Sequence, residues 1–171
     1  MKNLLSKRLV LAVTVVFFII LCSFSAQAAE KKKVTFTKEM KQLISRADTY
    51  IGDVPKHRIT TIVRIDTHKH SDPDFGSAEE WIYMHSDSVA GTGTHRGHSV
   101  TNYENGDKSY QKWEGTHKTT VKDGAWETKF EGKSQFTGGT GKFKNIKGGG
   151  AYKGTMTAKG VTGSGEFEAE Y

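Results

Sequence analysis

Thr137-Gly138-Gly139-Thr140-Gly141-Lys142-Phe143, followed by Ile146-Lys147-Gly148-Gly149-Gly150-Ala151-Tyr152-Lys153-Gly154, is the stretch on which the fold turns. Seven of the eighteen residues from 137 to 154 are glycine. Such a run either cradles a phosphate or forms the corner of an all-β barrel. A phosphate loop needs its glycines and lysine to lead into a helix, whose N-terminal N–H groups meet the anion. Here Lys142 leads to Phe143, and Tyr152 to Met156 alternate as a strand does. A dinucleotide fingerprint fails for the same missing helix.

Outward from this stretch the chain reads as strands and glycine-bearing turns. The strand candidates are 57–70, 80–89, 93–104, 108–121, 125–136, 149–158 and 161–171, with Val34 to Phe36 as an eighth. Ala90-Gly91-Thr92, Asn105-Gly106, Asp123-Gly124 and Lys159-Gly160 are hairpin signals between them. No segment is long enough for a crossover helix, so the sheet is antiparallel. Asp123-Gly124 places Lys122 opposite Ala125, and therefore Trp113 opposite Ser134. Lys159-Gly160 would place Tyr152 opposite Phe167. A three-residue bulged loop at Glu104-Asn105-Gly106 keeps Tyr103 and Trp113 on one face.

The inward rows then include Ile59 to Ile65 in odd steps, Trp81, Tyr83, His85 and Asp87, Ser99, Thr101 and Tyr103, and Gln111, Trp113 and His117. They continue with Trp126 and Phe130, Tyr152 and Met156, and Val161 and Phe167. Large aromatics alternate with glycines along these rows, as in a closed sheet that makes room for rings or leaves a cavity. The expected fold is all-β, a closed antiparallel up-and-down barrel of about eight strands. A β-sandwich is the competing closure. Before the barrel, Met40, Leu43, Ile44, Ala47 and Ile51 recur at helical spacing and predict one short helix over 37–51, ended by Gly52 and Pro55.

The glycine segment 136–143 with 146–154 resembles the signature of the allene oxide cyclase/dirigent barrel superfamily, a likeness extending from about Ile59 to Tyr171. The resemblance implies an eight-stranded antiparallel barrel that holds an apolar or aromatic small molecule. It further implies a bacterial exported relative, with carrier, steering or cyclase-like isomerase function, and homo-oligomers packed through outer sheet faces. The superfamily's catalytic residues find no matching local motif here.

The first residues have the form of an export signal: Lys2, Lys7 and Arg8, an apolar run from Leu9 to Leu21, then Ala26-Gln27-Ala28. The expected organisation is a signal peptide at 1–29, a lead-in and helix at 30–56, and the barrel at 57–171. Cleavage near Ala28 or Ala29 gives a periplasmic or secreted protein without a stable membrane anchor. Removal of 29 of the 171 residues leaves 142, takes away three basic residues and lowers the formal charge from +6 to +3. That mild charge, with lysines interleaved among Glu and Asp, argues against nucleic acid as a partner. The only cysteine, Cys22, lies in the signal, so neither a disulfide frame nor a thiolate site is expected beyond it.

For ligand binding, the inward reading selects Trp81, Tyr83, His85, Tyr103, Trp113, His117, Trp126 and Phe130 as the wall of a pocket for a small apolar or aromatic molecule. His95 is a further interior polar group. If the barrel is an enzyme, His85, Asp87 and His117 are the acid/base candidates. No cofactor is expected. His68, His70, Asp72 and Asp74 form a loose set of metal-ligand types, for which a solvated loop is the better reading. An envelope interaction module with a filled core is the remaining alternative.

Overall fold

The computed structural model describes residues 31–171; the signal peptide expected over 1–29 lies outside them. The described residues form eight antiparallel strands, each paired with its sequence neighbours and β1 with β8, in a closed barrel. These are β1 (Lys32–Tyr50), β2 (His57–His70), β3 (Ser77–Val89), β4 (Thr92–Tyr103), β5 (Lys108–Lys122), β6 (Ala125–Gly139), β7 (Lys147–Thr157) and β8 (Gly160–Glu170). The glycine-rich opening stretch is the corner between β6 and β7, with a single 3-10 turn at Gly141–Phe143.

The helix expected over 37–51 is instead the second part of β1. Register shifts between Met40 and Gln42 and between Leu43 and Ser45 explain the misleading pattern. Each bulge inserts one residue, so alternation slips from two to three. Met40, Leu43 and Arg46 consequently lie opposite Asp66, Arg64 and Ile62, on one face of the sheet. A bulged strand thus imitates helical spacing. Closing the sheet between β8 and β2 outweighs the local preference.

Closure is strongly staggered. A path from Asp48 through Thr60, Ser86, His95, Gly115, Gly132, Tyr152 and Gly165 returns to β1 at Phe36, twelve residues from its start. Large stagger means tilted strands and a wider interior.

The Asp123-Gly124 register is as expected, with Trp113 opposite Ser134 and His117 opposite Phe130. Tyr103 and Trp113 also share a face across β4 and β5, where Asn102 pairs with Lys108. The last hairpin differs by two residues: Ala158-Lys159 is the turn, and Tyr152 faces Gly165 instead of Phe167. A shift of two leaves the faces intact.

The β3–β4 turn carries the larger correction. Val89 pairs with Thr92 across a two-residue Ala90-Gly91 turn, whose φ values are 50° and 82°. Both central residues are left-handed, as a type I′ hairpin requires. The two-residue turn makes even positions of β3 share a face with odd positions of β4, and β2 follows β3. Thr60, Ile62, Arg64, Asp66 and His68 therefore face inward with Glu80, Ile82 and Ser86, whereas Trp81, Tyr83, His85 and Asp87 face outward.

Five inward rings sit directly opposite glycines: His95 on Gly115, Trp113 on Gly97, Phe130 on Gly154, Tyr152 on Gly132, and Phe36 on Gly165. A Cβ added to Gly97 would lie 2.6 Å from Trp113 Cζ2, and one on Gly165 would lie 2.7 Å from Phe36 Cζ. No side chain fits beneath those rings. Gly154 of the opening stretch is one such footprint of an interior aromatic, whereas Gly148, Gly149 and Gly150 lie against the backbone of the neighbouring strands.

One end of the barrel is plugged. Val34, Phe75, Ala78, Tyr103, Phe136, Phe143, Ile146, Phe167 and Ala169 form a buried cluster there. Phe75 from the β2–β3 loop stacks on Phe143 at 5.0 Å, and Phe143 meets Tyr103 at 4.5 Å. The four hairpin turns at residues 51–56, 90–91, 123–124 and 158–159 lie at the opposite end.

Candidate functional site

Between plug and hairpin turns lies an interior cavity of about 100 Å³. That is space for several waters, and about two-thirds of the ~150 Å³ that suffices for benzene, with the open hairpin end adding to it. Phe36, His70, Tyr103 and Phe167 border it toward the plug. Trp113, Tyr152, Phe130, His95 and His117 border its middle, and Arg46, Arg58, Thr119, Thr128 and Met156 its far end. The Arg46 and Arg58 side chains are 32% and 31% exposed, so solvent reaches the cavity lining at the hairpin end.

The floor is a layer of paired charges. Arg64 donates to both carboxylate oxygens of Asp66, at 2.9 and 3.1 Å. Lys38 Nζ lies 3.7 Å from Asp66 and 3.4 Å from Glu80, and His68 Nε2 lies 2.8 Å from Glu80. Burial alone would push the Glu80 carboxyl up, but Lys38 and His68 together hold it well below the ordinary range. Phe36 stacks on His68 with ring centroids 5.4 Å apart, joining this layer to the aromatic one. Such buried ions persist because each is paired; deletion of one partner typically costs about 3–5 kcal/mol.

Above the floor, His95 Nε2 meets the Tyr152 hydroxyl at 2.8 Å. Trp113 and His117 lie 5.8 Å from the His95 ring, and Phe130 meets it edge-on at 6.2 Å. Burial lowers the His95 pKa to about 4, with the cations of His117, Arg64 and Lys38 acting in the same direction. Burial lowers His117 too, with Arg58 adding to it, and burial raises Tyr152. At neutral pH the pair is therefore an uncharged imidazole and an intact phenol sharing one proton, the imidazole tautomer deciding which atom donates. It offers one donor and one acceptor within an aromatic enclosure.

Of the residues selected from sequence, Tyr103, Trp113, His117 and Phe130 line this cavity. Trp126 lies on the inward side at the lip of the β5–β6 hairpin, opposite Val121. Trp81, Tyr83 and His85 are on the outer surface, which corrects their expected inward placement; the one-residue difference at Ala90-Gly91 is the cause. Asp87 is also outside, 2.9 Å from His57 Nε2, while Asp53 holds His57 Nδ1 at 2.5 Å. Those two carboxylates, Asp53 foremost, raise the His57 pKa. His85 and Asp87 consequently do not meet His117 inside the barrel.

His68 and His70 point inward, His70 toward the Gly76 carbonyl at 2.9 Å. Asp72 and Asp74 instead lie in the surface loop, where Lys32 binds both and Asp74 also accepts from the Tyr171 hydroxyl. The four do not converge, and among the described residues no three His, Cys, Asp or Glu side chains gather as metal ligands.

The sequence reading passed over Lys38, Arg64, Asp66 and Glu80. Charged residues on a strand ordinarily mark its solvent face, so local patterning hid them. The one signal was the alternate face of β2 and β3 implied by a two-residue Ala90-Gly91 turn. No protein-family model and no curated protein matches this chain.

Proposed function

We propose that this chain is an exported barrel that binds a small apolar or aromatic molecule in its interior, as a carrier or steering protein. The observation that carries this reading is the aromatic-walled cavity with the His95–Tyr152 pair at its middle. An apolar wall holds the body of a ligand, and a few fixed polar groups orient it. The closed eight-stranded antiparallel barrel is also what the likeness to the allene oxide cyclase/dirigent superfamily implies, and that likeness supports the reading. A second copy would pack on the outer sheet face at Trp81 and Val100, half-buried apolar side chains paired across β3 and β4.

A cyclase-like isomerase is the second reading. His95, neutral at pH 7 and hydrogen-bonded to Tyr152, is suited to take or return a proton on a bound ligand. In that case the acid/base groups are His95 and Tyr152, since His85 and Asp87 lie outside.

Native mass spectrometry of the protein purified from its host's envelope, alongside Trp113 fluorescence titrations with single-ring aromatics, tests the binding reading. A reproducible bound mass, or a saturable change absent from Trp113→Phe, is expected. A bare protein whose fluorescence no probe alters would overturn it. Turnover of an identified ligand that survives His95→Asn would leave the carrier role standing and remove the enzymatic one.

A further inference from the structure

The large exposed apolar side chains are unevenly distributed over the described surface. Tyr50, Ile51 and Val54 are at the β1–β2 turn, Val89 at the β3–β4 turn, and Val121 and Trp126 at the β5–β6 turn. Tyr50 and Val121 are 71% and 72% exposed. Three separate hairpins thus present apolar tips at one end of the barrel. Leu43, Ile44, Tyr83 and Tyr110 are the other exposed ones, and apart from Tyr110 the opposite end buries most of its aromatics in the plug. This is also the end at which Arg46 and Arg58 bring the cavity lining to solvent.

The fourth hairpin is short. The ladder between β1 and β8 stops at Glu39, so residues 41–50 are bonded only to β2. The ladder between β6 and β7 starts at Glu127, which leaves Ala125 and Trp126 bonded only to β5. The β7–β8 tip therefore sits below its neighbours, and the rim is notched between β1 and β6. Exposed Leu43 lies on the inward side of the β1 edge at this notch.

We propose that this end of the barrel docks on a lipid bilayer containing anionic lipids, with the three hairpin tips inserted and the notch facing the acyl region. Apolar groups clustered on a soluble surface mark protein or membrane contacts. The choice of a bilayer rests on three features. The apolar side chains stand on separated tips around an opening, an arrangement a fluid surface can fill without a complementary shape. Lysines accompany the tips, Lys56 on the first, Lys122 on the third and Lys159 on the short hairpin between, placed for headgroup phosphates. Against them stand Asp123, Asp53 and Asp87, the last two held by His57. Finally, the apolar tips surround the end at which the cavity lining reaches solvent beside Arg46 and Arg58, so a molecule leaving the bilayer meets the opening directly. The docking itself does not depend on which molecule the cavity binds.

Co-sedimentation of the purified protein with vesicles of phosphatidylcholine alone, and of equal phosphatidylcholine and phosphatidylglycerol, tests the proposal. Association with the mixed vesicles is expected, accompanied by a blue shift that Trp126→Phe diminishes. The double change Ile51→Asp and Val121→Asp should weaken association at least tenfold while leaving the melting temperature unchanged, since both side chains are exposed. The triple change of Lys56, Lys122 and Lys159 to Gln should remove most of the preference for the anionic vesicles. Absence of association with either vesicle, or undiminished association of the Asp variant, would overturn the proposal. So would vesicle-independent self-association abolished by the same Asp pair, which would assign the tips to contact between copies.

Discussion

Gly132 lies opposite Tyr152 on adjacent strands, and a Cβ on Gly132 would lie 2.6 Å from the tyrosine's Cζ. The glycine places the phenol: the ring lies over bare backbone and sends its hydroxyl to His95, 57 residues away in sequence. The same device seats Trp113, Phe130 and Phe36. It ties the glycine content of the strands to the aromatic wall of the cavity.

Gly132→Ala should accordingly displace Tyr152 and break its bond to His95. The cost is set by overpacking, about 1–3 kcal/mol, plus the loss of a partly buried hydrogen bond, about 1 kcal/mol. Chemical denaturation reads the sum, and the His95 ring resonances should shift. Tyr152→Phe separates the two contributions, because it removes the hydrogen bond and leaves the ring in place.

Glu80→Gln should be among the most destabilising single changes in the barrel. It keeps the shape of the side chain but leaves Lys38 and His68 without their carboxylate partner. Breaking a buried pair from one side costs about 3–5 kcal/mol. A loss below about 1 kcal/mol in urea denaturation would mean that water reaches the floor.

Stability should fall on acidification through a defined window. Burial lowers His70 to about 4, as it does His95, against an ordinary value of 6.5. Between those values the unfolded chain binds protons that the folded barrel refuses, so stability is present above about 6.5 and lost as the pH drops toward 4. Each histidine contributes a slope approaching about 1.4 kcal/mol per pH unit. Below about 4 their contribution levels off. His57 runs the opposite way: its raised pKa favours the folded state below about 6.5, and that contribution disappears as the pH rises through the raised value. Denaturation midpoints at half-unit intervals from pH 4 to pH 8 check both signs.

Ala90→Asn should stabilise the barrel. Ala90 has φ of 50°, a left-handed conformation costly for alanine and well tolerated by asparagine ahead of a glycine. A gain of about 0.5–1 kcal/mol is expected, read as a rise in melting temperature. Inserting a residue after Gly91 should instead abolish folding, because it would turn the buried charges of β2 and β3 out of the barrel.

The strand sequence, the Asp123-Gly124 register and the inward faces of β4 through β8 were legible because turn chemistry and alternation are local and agree with one another. Trp113, His117, Phe130 and Tyr103 were found on that basis. Besides the two-residue register difference of the last hairpin, two features escaped the same reasoning. The β1 bulges gave Met40, Leu43 and Ile44 a helix-like spacing, and the β3–β4 turn was one residue shorter than the Ala90-Gly91-Thr92 reading implied. The second error reversed two strands, exchanging Trp81, Tyr83 and His85 for Glu80, Ile82 and Ser86.

By itself, the sequence determined that this is an all-β chain of hairpins with glycines set among aromatics, since periodicity and turn residues act over a few neighbours. Only the tertiary structure decided which face of β2 and β3 is inside, and hence that Lys38, Arg64, His68 and Glu80 form the cavity floor, with Asp66 buried behind them. The physical reason is that a buried charge is tolerable only with its partners, and those partners lie on different strands. It is barrel closure that brings Lys38 of β1 and His68 of β2 to Glu80 of β3, and His95 of β4 to Tyr152 of β7.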